Sequence, residues 1–62
     1  MHSKLFLTVD KTASSGYWQV YFLPMNDSRV IAFCPFTNIS AIAPTLLEAA
    51  TEWVNKARQE LE

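Results

Sequence analysis

The sequence predicts a small α+β protein: a three-stranded antiparallel meander, with a possible short fourth strand, and one C-terminal helix packed on one face. Apolar residues alternate with a period of two in three short stretches that polar turns separate. Towards the end of the chain they recur instead at every third or fourth position, the spacing of an amphipathic helix. Two short connections between consecutive strands favour a meander. A chain of 62 residues is expected to form a single domain, residues 1–62.

The three alternating stretches predict strands over residues 4–9, 16–24 and 29–34, with Gly16 supplying a positive φ at the start of the second. A strand points alternate side chains to opposite sides, so each strand contributes to two faces. One face, called the inner face, collects Leu5, Leu7, Val9, Trp18, Val20, Phe22, Val30, Ala32 and Cys34. The opposite or outer face collects the apolar Phe6, Tyr17, Tyr21, Leu23, Ile31 and Phe33, and the polar Lys4, Thr8, Gln19 and Arg29.

Residues 35–44 carry a proline at each end, which argues against a long strand inside the sheet. Two interpretations stay open for them: a short edge strand at residues 39–42, or an extended segment that leads into the helix.

The helix is the clearest element. Thr45 and Glu48 match a capping box, in which each side chain accepts a hydrogen bond from an amide of the first turn. An apolar stripe runs along Leu46, Ala50, Trp53, Ala57 and Leu61 and predicts a helix over residues 46–60. Glu52 and Lys56 are spaced for an ion pair on its solvent side.

The helix is expected to cover the inner face, with Trp18 close to Trp53. The outer face then keeps several aromatic side chains, each of which can bury about 150–250 Å². We interpret it as a surface for a partner protein or a second copy. The candidate binding residues are Phe6, Tyr17, Gln19, Tyr21, Arg29, Ile31 and Phe33. In the alternative interpretation, residues 35–44 fold across this face and close it.

No pattern in the sequence indicates catalysis, a cofactor or a metal site. His2 is the only histidine and lies at the terminus, without the fixed neighbours that acid–base catalysis needs. Cys34, the only cysteine, alternates into the inner face, where a thiol behaves as a small hydrophobic group. The six carboxylates lie in predicted loops or at the cap and wet side of the helix. The chain is therefore not expected to be an enzyme.

Charge argues against nucleic acid as the main partner. The net charge is −1, and the five basic residues are scattered rather than clustered. Single-stranded nucleic acid stacked on the aromatic sheet remains an alternative. No signal-peptide or membrane-span pattern is present, and a single unpaired cysteine fits a reducing compartment, so the expected location is the cytoplasm.

About half of the chain resembles the N-terminal domain of HicB-type antitoxins. The resemblance lies in the run from Gly16 to Val20 that opens a strand, in Pro24, and in residues 45–50 with Ala57 and Glu60 of the helix. The segment between Pro24 and Thr45 is longer than in that family, and its C-terminal DNA-binding segment is absent. The resemblance implies a module that binds and blocks another protein.

These observations favour a small non-catalytic protein-binding module, an inhibitor or regulator of the kind that phages and mobile elements encode, acting alone or as a homodimer. The alternatives are single-stranded nucleic-acid binding on the aromatic sheet and a structural subunit of a larger assembly.

Overall fold

The structure, a computed structural model, describes residues 5–11 and 15–62. It contains four strands and one helix: β1 (Leu5–Asp10), β2 (Tyr17–Pro24), β3 (Val30–Cys34), β4 (Ile39–Ala43) and α1 (Leu46–Leu61). The strands form one antiparallel sheet in the order β1-β2-β3-β4. The predicted α+β class is confirmed, and the uncertain segment supplies a fourth strand at the edge. His2, Lys4 and residues 12–14, which entered the sequence predictions, lie outside the described residues.

The connections between the strands each contain a residue with a positive φ. Gly16 has φ +116° directly before β2, and its carbonyl accepts a hydrogen bond of 3.2 Å from the Lys11 amide. Ser28 has φ 73° in the β2–β3 turn, and Asn38 has φ 61° in the β3–β4 turn. These short turns hold each strand antiparallel to its predecessor and fix the register.

The register confirms how the strand residues divide between the two faces. Directly opposite residues share a face, and Leu7 lies opposite Val20 while Phe6 lies opposite Tyr21. The fourth strand extends both faces, since Ala41 pairs with Ala32 and Ile42 with Ile31. β4 therefore adds Ile39, Ala41 and Ala43 to the inner face, and Ser40 and Ile42 to the outer face.

The helix covers only part of the inner face, which corrects the expectation that it would shield β1. It lies mainly over β3 and β4, and it leaves Leu5 50% and Leu7 42% exposed. The reason is a seam of small side chains that lets the helix approach this half of the sheet closely. The seam, called the alanine seam, consists of five buried residues: Ala32, Ala41 and Ala43 on the sheet, and Ala49 and Ala57 on the helix.

Trp53 fills the space beside the alanine seam and is completely buried. Its ring lies close to Trp18, as the sequence predicted, and meets it edge to face with centroids 5.5 Å apart. Its indole N–H donates a hydrogen bond of 2.8 Å to the carbonyl of Ile39 in β4. A single side chain therefore links the helix to two strands, one by ring packing and one by a buried hydrogen bond.

The structure confirms Thr45 as the N-cap, but the side chains of Glu48 and Lys56 form other hydrogen bonds than those predicted. The Thr45 hydroxyl accepts a hydrogen bond from the Glu48 amide at 3.2 Å, as expected of an N-cap. The Glu48 carboxylate accepts from that same hydroxyl at 3.0 Å. Lys56 does not follow the predicted pairing with Glu52, because its ammonium group donates to the Ser40 carbonyl at 2.8 Å. That bond ties the solvent side of the helix to β4.

Replacing Thr45 with alanine should lower the free energy of unfolding by about 1 kcal/mol, the usual cost of a lost N-cap. Thr51 provides a matched control, because its hydroxyl only donates to the Leu47 carbonyl one turn back in the same helix. Thr51→Ala should leave stability nearly unchanged. Urea unfolding followed by circular dichroism compares the two variants, and equal midpoints would contradict the role of the cap.

Candidate interaction surface

Three aromatic rings form a row across the outer face. Phe6, Tyr21 and Phe33 occupy directly opposite positions on β1, β2 and β3. The Phe6 and Tyr21 centroids are 5.6 Å apart at an interplanar angle of 35°, and the Tyr21 and Phe33 centroids are 5.8 Å apart at 28°. Cross-strand aromatic pairs of this kind stabilise a sheet and hold each ring in place. We call this row the aromatic ladder.

A second, aliphatic row lies beside the aromatic ladder. Leu23, Ile31 and Ile42 are directly opposite one another on β2, β3 and β4. The two rows together are called the outer patch: Phe6, Leu23, Tyr21, Ile31, Phe33 and Ile42. Phe6 is 49% and Ile42 41% exposed, and the other four are half-buried by their neighbours within the sheet. The outer patch is thus a contiguous apolar surface.

The alternative that residues 35–44 close the outer face is wrong. Residues 39–43 pair alongside β3 as the fourth strand, so they widen the outer face instead of crossing it. The helix packs on the inner face. Within residues 5–11 and 15–62, no strand or helix lies over the outer patch.

Tyr17 and Gln19 lie on the outer face, but nearer its other end. Gln19 is opposite Thr8, in the row next to the aromatic ladder, and Tyr17 is one row further, opposite Asp10. Tyr17 is 57% exposed. Both side chains border an open depression of about 500 Å³ at the end of the sheet. Gln19 therefore flanks the outer patch, whereas Tyr17 belongs to a separate part of the surface.

One side of the depression carries a positive charge, that of Lys11. Lys11 and Phe36 line it together with Tyr17 and Gln19. The Lys11 ammonium group lies 5.9 Å from the ring centroid of Trp18, which is a cation–π distance. This contact ties the end of the first hairpin to the core.

Arg29, predicted as the first residue of the third strand, lies in the β2–β3 turn, one residue before β3. Its guanidinium binds Asp27, with Nη2 2.7 Å and Nε 2.8 Å from Oδ2. The Asp27 carboxylate also accepts from the Arg29 amide at 3.3 Å. The side-chain hydrogen bond from Arg29 lowers the pKa of Asp27, and that bond raises the pKa of Arg29. This local ion pair holds the Arg29 side chain against Asp27.

Two residues of the outer patch, Leu23 and Ile42, are not among the predicted binding residues. Strand alternation predicts the outer face for Leu23, and its position opposite Ile31 makes it part of the outer patch. The sequence assigns no face to Ile42, because it leaves open whether residues 39–42 form a strand. The available signal for Ile42 was that Ser40 and Ile42 alternate with Ile39, Ala41 and Ala43. This alternation is weak, because the short segment has an isoleucine on each face.

Chemically reactive groups are sparse in the described part of the chain. Cys34 is buried at 2% exposure beneath the helix side of the sheet, as predicted. No group of three or more potential metal ligands forms among residues 5–11 and 15–62. The described helix is not long and apolar enough to cross a membrane.

Comparison with known proteins adds no relative: no protein-family model, curated protein or solved structure matches this chain. The resemblance to HicB-type antitoxins stays a prediction.

Proposed function

We propose that this chain is a non-catalytic protein-binding module that acts on a partner protein through the outer patch, as an inhibitor or regulator. The observation that carries the proposal is the contiguity of the patch. Two adjacent rows of apolar side chains cross all four strands, and no described strand or helix lies over them. Monomeric proteins usually keep their largest apolar patch to about 300–600 Å².

The arrangement of the rings supports binding with little loss of conformational freedom. Tyr21 lies between Phe6 and Phe33, so its ring is already restricted before a partner arrives. Binding a restricted side chain costs less entropy than ordering a mobile one. Tyrosine is also enriched among the residues that dominate interface energies, because its ring buries area while its hydroxyl can donate a hydrogen bond. Tyr21 is therefore the proposed centre of the interface.

Charge favours a protein over nucleic acid as the partner. Among the described strand residues, the outer face carries one charged side chain, Asp10, and it is acidic. A surface that stacks single-stranded bases normally adds positive charge along the phosphate backbone. The outer patch offers flat aromatic area without that charge.

The same proposal places the protein in the cytoplasm, since its one cysteine is unpaired and buried. The resemblance to HicB-type antitoxins, if it reflects ancestry, implies the same type of activity, namely binding and blocking another protein.

Replacing Tyr21 and Phe33 together with serine should weaken partner binding about 100-fold or more, since each central aromatic contributes about 2 kcal/mol or more at an interface. The control is Leu47→Ser, because Leu47 is 75% exposed on the helix, away from the outer face. Affinity capture from the source organism identifies the partner. Calorimetric titration of the purified partner then compares wild type, double variant and control, with circular dichroism to verify folding.

Two results would count against this function. A purified partner that binds the folded double variant as tightly as wild type removes the outer patch from the interface. Binding of single-stranded oligonucleotides that weakens steeply with salt, and is lost in the double variant, transfers the function to nucleic acid.

A further inference from the structure

The two edge strands of the sheet, β1 and β4, differ in how they are protected against pairing with another strand. In β4, the Ile39 carbonyl accepts from the Trp53 indole and the Ser40 carbonyl accepts from the Lys56 ammonium group. Consecutive carbonyls of a strand point to opposite sides, so one of these two bonds lies on the free edge. Pro44 follows this five-residue strand directly and cannot donate a hydrogen bond. A helix side chain and a proline therefore protect this edge.

The β1 edge has none of these devices. Its six residues pair with β2 without interruption, from Leu5 opposite Phe22 to Asp10 opposite Tyr17, so no bulge twists the edge away. The strand contains no proline, and its only charge is at its last residue. Within the described residues, β2 is its only strand neighbour. A long edge strand with unpaired backbone groups is a template for another strand.

The fold also leaves apolar side chains of β1 exposed. Leu5 and Leu7 are exposed on the inner face because the helix does not reach them, and Phe6 is exposed on the outer face. An occupant of this edge must therefore supply backbone hydrogen bonds and apolar side chains on both faces. Those requirements describe an extended strand with apolar residues at consecutive positions, and β1 itself meets them.

We propose that β1 pairs antiparallel with β1 of a second copy, around a twofold axis at Leu7, to form a homodimer with a continuous eight-stranded sheet. This contact goes beyond the proposed function, because it uses the sheet edge and leaves the outer patch accessible except at Phe6, which lies on that edge. A twofold axis brings the same strand to both sides, so each exposed group finds its match in the other copy.

The register follows from the side chains. With the axis at Leu7, Leu5 faces Val9 of the second copy and Phe6 faces Thr8, so opposed residues share a face, and Asp10 faces none of the described residues. An axis at Thr8 would set Asp10 against Phe6. Of the described residues, an axis at Phe6 would pair only residues 5–7. Among these residues, the Leu7 axis therefore gives the longest pairing without a charge against an apolar side chain.

A charge exchange at the axis tests this register. Leu7 meets its own copy there, so Leu7→Lys places two positive charges together and Leu7→Glu two negative charges. Each variant alone should raise the dimer dissociation constant at least tenfold in sedimentation experiments. An equimolar mixture of the two should restore association, because the opposite charges then meet at the axis. Leu47→Lys, on the exposed side of the helix, should leave dimerisation unchanged.

Several outcomes overturn the proposal. These are a wild-type chain that stays monomeric up to millimolar concentration, dimerisation that ignores both Leu7 charges, and a mixture that associates no better than its components. Loss of the dimer in the Tyr21 and Phe33 double variant would show that the two copies meet through the outer patch instead.

Hydrogen exchange of the wild-type chain tests the same contact without a variant. It decides the question even where Leu7→Lys or Leu7→Glu fails to fold. Every second amide within residues 5–9, namely those that point away from β2, should gain protection as the concentration rises. Exchange at these amides that is independent of concentration would exclude pairing at β1. Because these readouts do not involve the partner protein, failure of the dimer leaves the proposed function standing, and the reverse also holds.

Discussion

Replacing Trp53 with alanine should leave the domain largely unfolded at room temperature. The side chain is completely buried and lies between the helix, Trp18 and the β4 backbone. Truncating a buried tryptophan costs about 3–5 kcal/mol, through lost apolar burial and the cavity that remains. A single core in a chain this small rarely provides more than about 3–5 kcal/mol in total. The loss is therefore comparable to the whole free energy of unfolding.

Trp53→Phe separates the ring from its hydrogen bond. Phenylalanine keeps most of the packing against Trp18 but cannot donate to the Ile39 carbonyl, so we expect a loss of about 1–3 kcal/mol. Urea unfolding followed by far-ultraviolet circular dichroism ranks wild type, Trp53→Phe and Trp53→Ala in that order of stability. A cooperative transition for Trp53→Ala at the wild-type midpoint would show that Trp53 is not central to the core.

Replacing Ala32 with leucine should destabilise the domain by about 3 kcal/mol, the upper end of the usual cost of overpacking a core. Ala32 is fully buried in the alanine seam, where β3 faces the helix. A longer side chain there must push the helix away from the sheet. That movement also strains the Trp53 hydrogen bond to β4, so one substitution disturbs two interactions.

Ala50→Leu is the matched control for Ala32→Leu. Ala50 is only half-buried at the flank of the helix, where an added side chain can extend over the open part of the inner face. Its stability should change by less than about 1 kcal/mol, or increase, because leucine is also a good helix former. Thermal and urea unfolding compare the pair. Equal stabilities for both variants would mean that the seam tolerates larger side chains.

The sequence was sufficient for the strands and their faces, because large apolar residues alternate cleanly along β1, β2 and β3. It was not sufficient for the lateral position of the helix. That position depends on where small side chains from distant segments meet. Nothing in the sequence indicates that Ala32 and Ala49 lie in the same seam. The exposure of Leu5 and Leu7 follows from this position, so sequence alone could not predict it.

The candidate site was predictable in its centre and not at its ends. Phe6, Tyr21 and Phe33 were each assigned to the outer face, and the structure brings their rings together. The ion pair of Arg29 with Asp27 is a local contact in the turn that strand alternation does not encode. The contribution of Ile42 depended on a fourth strand whose pairing only the three-dimensional register reveals.

The position of the helix also determines how stability is distributed along the chain. The strands beneath it and the helix itself occupy one continuous stretch, residues 30–61, so their mutual contacts close short loops. β2 joins this unit through Trp18, while β1 adds a ribbon that the helix does not cover. Local opening is expected to begin at such sparsely covered elements. The helix and strands β2, β3 and β4 are therefore expected to unfold together, and β1 to open more readily. Any strand that binds β1 would stabilise it and bring it into the same cooperative unit.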